Sequence, residues 1–363
     1  MRNNKSVINV LSIVIIASIM LAANFVSPTF AQNKASNDDG NNDGSSTDGN
    51  NDGSVSDGSS TDGNDLGNFK YVKKFDSDGN YIAGWGSKGT GDGQFLHAHG
   101  IGIDRSSGDV YVSDAENHNI QKFDSNGKFI TSWGSEGTGD GQFSVPESIA
   151  VDSSGNVYVA DQGNSNIQKF DSNGKFITSW GSKGTGEGQF HLLWGVGVDP
   201  SSNVYATAQQ VFAVQKFDSN GKFITSWGSE GTGEGQFVHL HDVTTDSHGN
   251  VYVTDGRENS RVSKFDSNGK FITSWGSEGS GKGQFIEDHG IAVSPSGNVY
   301  VVDTRNNRIQ EFSSDGTFIR QWGSDGCGPD QFLIPHDIAV DSSNNVYVTD
   351  SGNVHFKADV TCS

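Results

Sequence analysis

The chain has 363 residues, a formal net charge of −20, 49 glycines and two cysteines. Acidity on this scale excludes a role that neutralises phosphates, so nucleic acid is not an expected partner. Two cysteines cannot supply a multi-cysteine zinc domain, and no phosphate loop, dinucleotide fingerprint or Ser-His-Asp signature occurs.

The first predicted element is an apolar run from Val7 to Val26, preceded by Arg2 and Lys5 and followed by Ser-Pro-Thr-Phe-Ala-Gln. Residues 1–31 read as a secretory signal cut before Gln32. At about 20 residues the run also has the length of an uncleaved membrane anchor. Either reading places the protein outside the cytoplasm, secreted or at the cell surface. Residues 32–66 are almost entirely Asn, Asp, Gly, Ser and Thr. Such a composition cannot bury a core and reads as a disordered acidic linker.

From residue 67 onward the chain is periodic. Gly-Gln-Phe begins at Gly93, Gly141, Gly188, Gly235 and Gly283, and Gln-Phe recurs at Gln331, in steps of 47 or 48 residues. A period of this size signals a stacked or radial repeat architecture. In residues 141–187 the β-branched and aromatic residues fall into four alternating runs: 148–152, 156–161, 166–171 and 175–181. Ser-Ser-Gly and Ser-Asn-Gly separate the outer pairs and suit tight hairpins. Four antiparallel strands per unit predict a propeller blade.

The unit resembles the NHL repeat, whose consensus runs through G-Q-F-x-x-P-x-G-I-A-V-D, N-V-Y-V-A-D-x-x-N and R-I-Q-K-F. The resemblance covers residues 67–363 and implies an all-β, six-bladed β-propeller of four-stranded antiparallel blades. Five blades would span 93–140, 141–187, 188–234, 235–282 and 283–330. The sixth would join 331–363 to 67–92. Its inner strands (336–341 and 345–350) would pair with N-terminal outer strands (71–76 and 80–86), closing the ring and removing open edges. Trp85, Trp133, Trp180, Trp227, Trp275 and Trp322 recur in the last strand of each blade and are expected to pack between sheets. The Asp after the second strand (Asp114, Asp161, Asp255, Asp303, Asp350) is expected to bond its own loop backbone; a calcium role is the alternative.

Cys327 and Cys362 form an even pair in a chain read as exported, which suggests a disulfide. With the N-terminal strand filling the third slot of blade six, the tail after Asp350 must leave on the face that carries Cys327. Two free thiols are the alternative.

Because the copies are nearly identical, their differences point to function. The loops leading into the first strand and following the second share one end of the ring, and that end varies. Four residues after each repeat phenylalanine stand His99, Glu147, Trp194, His241, His289 and His336. Imidazole and carboxylate are the usual ligands of zinc and copper. Alternate blades two, four and six would offer Glu147, His241 and His336 around one axial ion, with His99 and His289 as alternatives and a position left for water or substrate. His97, His191 and His239 lie close by. Pro335-His336-Asp337 is similar to the P-H-[G/S/D] context that holds zinc in the peptidylglycine amidating lyases, also propellers. His99-Gly100, His241-Asp242 and His289-Gly290 share that context without the proline, while Glu147 follows Pro146 in place of histidine. The opposing view is that these histidines merely cap solvent-facing backbone.

Blade three departs from the rest. Ala208 replaces the turn Asp, Val211 replaces the Asn, Phe212 is added, and Trp194 follows Leu192 and Leu193. Leu192, Trp194, Val211 and Phe212 would form an apolar patch for a protein or small-molecule ligand, unless the loop folds inward over its blade. The functional expectation is an exported binding scaffold with a zinc or copper site at the channel mouth. A metal-dependent lyase or hydrolase resembling the amidating lyases, and a purely structural surface protein, are the alternatives.

Overall fold

The computed structural model describes residues 69–352 and Cys362. The signal or anchor and the acidic linker therefore lie outside the described residues. Within them the chain forms six four-stranded antiparallel sheets. Blade one comprises Ala98–Ile103, Val110–Asp114, Asn119–Phe123 and Phe129–Trp133. Blades two to five repeat that order, and their innermost strands are Pro146–Val151, Leu193–Val198, Leu240–Thr245 and Asp288–Val293. Blade six is composite. Pro335–Val340 and Val346–Asp350 pair with each other, and Val72–Phe75 then joins antiparallel to the latter, with Val72 opposite Thr349. Tyr81–Trp85 completes that sheet from outside.

The second strand of each blade, such as Val110–Asp114, is buried along its whole length. Sheet faces it on both sides, so alternation gives way to a continuous apolar run. The outermost strands of blades one to four keep alternation, exposing Ile and Ser and turning Phe, Thr and Trp inward. Trp133 packs on Tyr111 of its own blade and Phe170 of the next, at ring-centroid distances of 6.0 and 5.8 Å. The same tryptophan lies over Gly174 of the Ser-Asn-Gly hairpin, where a Cβ would stand 2.5 Å from the ring. Gly174 also has φ +83°, so this turn position requires glycine twice over.

The seam in blade six is reinforced by an ion pair and a disulfide. Lys73 replaces the repeat's Gln or Ser, and its ammonium lies 2.9 Å from Asp350 with both side chains buried. It also donates to the Gln331 carbonyl. Cys327 and Cys362 form a disulfide with a Cα–Cα distance of 5.6 Å.

Candidate functional site

The loops leading into the innermost strands are fixed by the turn aspartates. Asp114 accepts the N–H groups of Leu96 and His97, each at 2.9 Å, and binds Asn117 of its own loop. Asp255 does the same for Val238 and His239, at 3.0 and 2.7 Å. Most of their partners are thus backbone N–H groups of the entry loop rather than of the turn that follows the strand, which adds Asn117 or Asn259, and Arg261 stands 3.8 Å from Asp255.

Hydroxyls then tie one blade to the next at the level of the histidines. Ser113 donates to the Glu147 carbonyl at 2.8 Å, Thr207 to that of His241 and Thr254 to that of His289, both at 2.6 Å. Thr349 donates to the His99 carbonyl. The equivalent residues of blades two and five are Ala160 and Val302, so Trp194 and His336 lack this hydroxyl clamp.

The six residues expected at the channel mouth form an interlocked belt across the channel. His99 and His336 stack with centroids 4.2 Å apart, and His241 and His289 with centroids 4.0 Å apart. His289 meets His336 at 5.4 Å. Trp194 turns into the channel, 5.6 Å from His241 and 6.1 Å from His99. Glu147 lies 2.8 Å from His99 Nδ1. Beneath the belt only about 20 Å³ remains, lined by belt residues and by Ser148, Asp242 and Asp337. That space suits about one water.

Glu147, His241 and His336, the set expected from alternate blades, are distributed around the belt in different partnerships. Glu147 pairs with His99, and the Nδ1 of His241 donates to the Asp288 carbonyl at 2.6 Å. Among the described residues, the imidazoles of His97, His99 and His336 offer ligand atoms within 4.8 Å of one another. His97 Nε2 and His336 Nδ1 are buried and have no hydrogen-bond partner. Nitrogens around one tetrahedral zinc stand about 3.3 Å apart at bond lengths of about 2.0 Å, a separation reached from here by small rotations of the rings. With Glu147 on Nδ1, His99 keeps Nε2 for a ligand role. A carboxylate behind a ligating histidine fixes its tautomer and orientation. These residues therefore fit a transition-metal ion. His97 stands two residues before the belt position, outside the repeat register that drew attention to the others.

Burial pushes most of these imidazoles toward the neutral form. His97 falls to about 4 through burial and then the neighbouring His99. His239 and His241 fall to about 4 and about 3, mainly by burial, and His289 and His336 lie well below the ordinary range for the same reason. His99 alone is raised: burial opposes its charge, but the Glu147 carboxylate outweighs it.

One residue further along each innermost strand stand Gly100, Ser148, Gly195, Asp242, Gly290 and Asp337. The three glycines give way to the three polar side chains; a Cβ on Gly290 would stand 2.6 Å from Asp337 Oδ1. Each polar residue accepts an N–H from the following blade. Ser148 takes Val196 at 3.2 Å, Asp242 takes Ile291 at 3.1 Å and Asp337 takes Ile101 at 2.9 Å. Burial pushes Asp242 up to about 7. Asp337 is raised well above the carboxylate range by burial, then by the charge of Asp242 and a hydrogen bond with it.

Below this layer the channel widens into a vestibule of about 500 Å³ that reaches the Ser-Ser-Gly hairpins. This space opens at the end opposite the variable loops, where no functional role was expected. In blade three, Val211 leans on the blade's own core. Leu192 and Phe212 are half-buried, flanking the short 3-10 turn Gln209–Val211. Trp194 thus faces the imidazoles, apart from the loop residues grouped with it by sequence.

A closed ring of six sheets around a histidine-lined axis defines a six-bladed β-propeller. The chain carries NHL repeats: the NHL repeat model matches residues 95–123, 143–170 and 237–265. A second family model, described as a 6-bladed beta-propeller, matches residues 294–357. No curated protein matches the chain in sequence. Among solved structures it is similar to a catalytically inactive virginiamycin B lyase from Staphylococcus aureus with quinupristin (14% identity, 77% of this chain, 81% of that one, TM-score 0.52). It is also similar to a propeller in a nidogen/laminin complex (15% identity, 67% and 84%, TM-score 0.51). A structural genomics protein of unknown function from Bacteroides thetaiotaomicron is a third (15% identity, 77% and 76%, TM-score 0.53). At these identities the likeness is one of fold.

Proposed function

We propose that this NHL-repeat propeller is an exported binding scaffold that carries one zinc or copper ion on His97, His99 and His336. The observation that carries this reading is the pair of buried nitrogens, His97 Nε2 and His336 Nδ1, left without partners beside His99. An unpaired buried polar atom costs about 1–3 kcal/mol, and a cation would satisfy both at once. Export is supported by the Cys327–Cys362 disulfide, a bond that persists in oxidising compartments.

Metal content of the purified, untagged protein tests the assignment. About one equivalent of zinc or copper is expected, lost in His97→Ala/His336→Ala and retained in His289→Ala. Retention of metal by the double variant, or its absence from the wild type, rejects the site.

A metal-dependent lyase or hydrolase is the second reading. It is favoured by the donor set, because three protein ligands leave a coordination position open, as in catalytic zinc sites. A metal there would supply Lewis acidity. The lyase named among the similar structures shares the fold and lends the reading no residue. A substrate screen comparing wild type with His336→Ala separates the two: turnover abolished by the substitution favours the enzyme, and metal binding without turnover favours the scaffold.

A further inference from the structure

The vestibule on the opposite side of the belt is built differently from the metal site. Its walls are mostly apolar, formed by Ile103, Ala150, Val151, Val198, Ala292 and Ala339, with Ile101, Val196 and Val243 almost wholly buried behind them. Its volume of about 500 Å³ falls within the range of small-molecule sites, which are mostly apolar with a few placed polar groups. Here the polar groups are Asp242 and Asp337, at the closed end.

Three features give these carboxyls a purpose beyond packing. Both depart from the glycine that three of the six blades place at the same register position. Each is held in orientation by an N–H of the following blade, with Ser148 donating to Asp242 Oδ1 at 3.4 Å. Neither has an ion pair with Lys, Arg or His among the described residues, and the two carboxyls are hydrogen-bonded to each other. The rim repeats the sign of the floor through Asp104, Asp152, Asp199 and Asp246. The basic side chain at the rim, Arg105, is committed to the carbonyls of Val293 and Val340, at 2.6 and 3.2 Å. An apolar, low-dielectric tube with acids at both ends favours a cation over an anion. A buried carboxylate in such a tube gains most from a donor that is itself charged.

We propose that the vestibule binds an apolar primary amine, its hydrocarbon body against the isoleucine and valine wall and its ammonium on Asp242 and Asp337. The amine enters between the Ser-Ser-Gly hairpins, so this site and the metal site are reached from opposite sides of the histidine belt.

The probe is 2-phenylethylamine, titrated calorimetrically against 2-phenylethanol and 3-phenylpropanoate. Saturable binding of the amine is expected, at least tenfold tighter than the alcohol, with no binding of the anion. Asp242→Asn should weaken the amine at least tenfold. Thr244→Phe, which fills the vestibule from its wall, should abolish binding while leaving metal content and thermal midpoint unchanged. It serves as the steric control if Asp242→Asn folds poorly. Equal affinity for amine and alcohol, undiminished binding to Thr244→Phe, or no saturation by the amine at millimolar concentration would each overturn the proposal. Because metal content is read on the same samples, failure here is distinguishable from failure of the metal assignment.

Discussion

Glu147 lies 2.8 Å from His99 Nδ1 and joins blade two to its neighbour, blade one, at the channel. The pair directs the other imidazole nitrogen, Nε2, toward the ligand role proposed beside His97 and His336. Removing such a supporting carboxylate typically weakens metal binding 10–100-fold. Glu147→Gln is therefore expected to lower zinc affinity by that factor while leaving the stoichiometry at one. Competition with a chromophoric chelator measures it. Complete loss of stoichiometric binding would instead make Glu147 a ligand, as its place in the repeat suggested.

His241 supplies a pH-dependent stability term. Burial lowers its pKa to about 3, and the Asp288 carbonyl can only accept, so Nδ1 carries the single proton. In the unfolded chain the same imidazole titrates near 6.5. Between about pH 6.5 and 3 the unfolded state thus binds a proton that folded His241 refuses, and stability from this residue falls as pH falls. The slope is at most about 1.4 kcal/mol per pH unit. Urea midpoints at pH 7 and pH 5 should show wild type losing ground relative to His241→Gln on acidification. A gap between the two that is constant across this range would contradict the assignment.

Lys73 closes the ring with a buried ion pair to Asp350. Breaking one partner of such a pair costs about 3–5 kcal/mol. Lys73→Met is expected to destabilise by that amount, against a negligible effect of Lys128→Met on an exposed lysine. Chemical denaturation of both variants is the check.

The Cys327–Cys362 disulfide spans 35 residues of sequence and covers the same seam. In the chain-entropy treatment a loop of this length is worth about 3–4 kcal/mol. Cys327→Ser/Cys362→Ser should lose about that much stability while keeping the native far-ultraviolet spectrum. An unchanged denaturation midpoint would show that the seam closes without the bond.

Asp288 is an internal defect of blade five. Both carboxylate oxygens are buried with no side-chain hydrogen-bond partner, and burial, only partly offset by backbone contacts from Asp288 and Asp255, raises its pKa well above the usual range. Blades three and four place Leu193 and Leu240 at this position, both fully buried. Asp288→Leu should stabilise the protein by about 1–3 kcal/mol, the cost of an uncompensated buried polar group. Unchanged or lower stability would show that the carboxyl is satisfied within the fold.

The repeat period, the four strands per blade, the hairpin glycines, the inter-blade tryptophans and the pairing of Val72–Phe75 with Val346–Asp350 were all legible in the sequence. These features are local or repeated, so one unit read correctly specifies the others. The histidine position was legible for the same reason, since identical register places six residues at one level of one channel. The cysteine pair could be matched because only two cysteines exist.

Which of those residues converge was decided by the ring. Sequence spacing treats alternate blades as symmetric partners, but neighbouring innermost strands stand closer than alternate ones. The three imidazoles proposed as ligands accordingly gather on blades six and one, with His97 brought in from a loop whose backbone Asp114 pins. The direction of Trp194, turned into the channel between imidazoles, is likewise set by packing across the axis. The floor of Asp242 and Asp337 left only a faint trace in the sequence, an alternation of glycine and polar residues at one register position. Its meaning depends on side chains from three blades meeting at the axis, a relation between residues about 95 positions apart that ring closure alone creates.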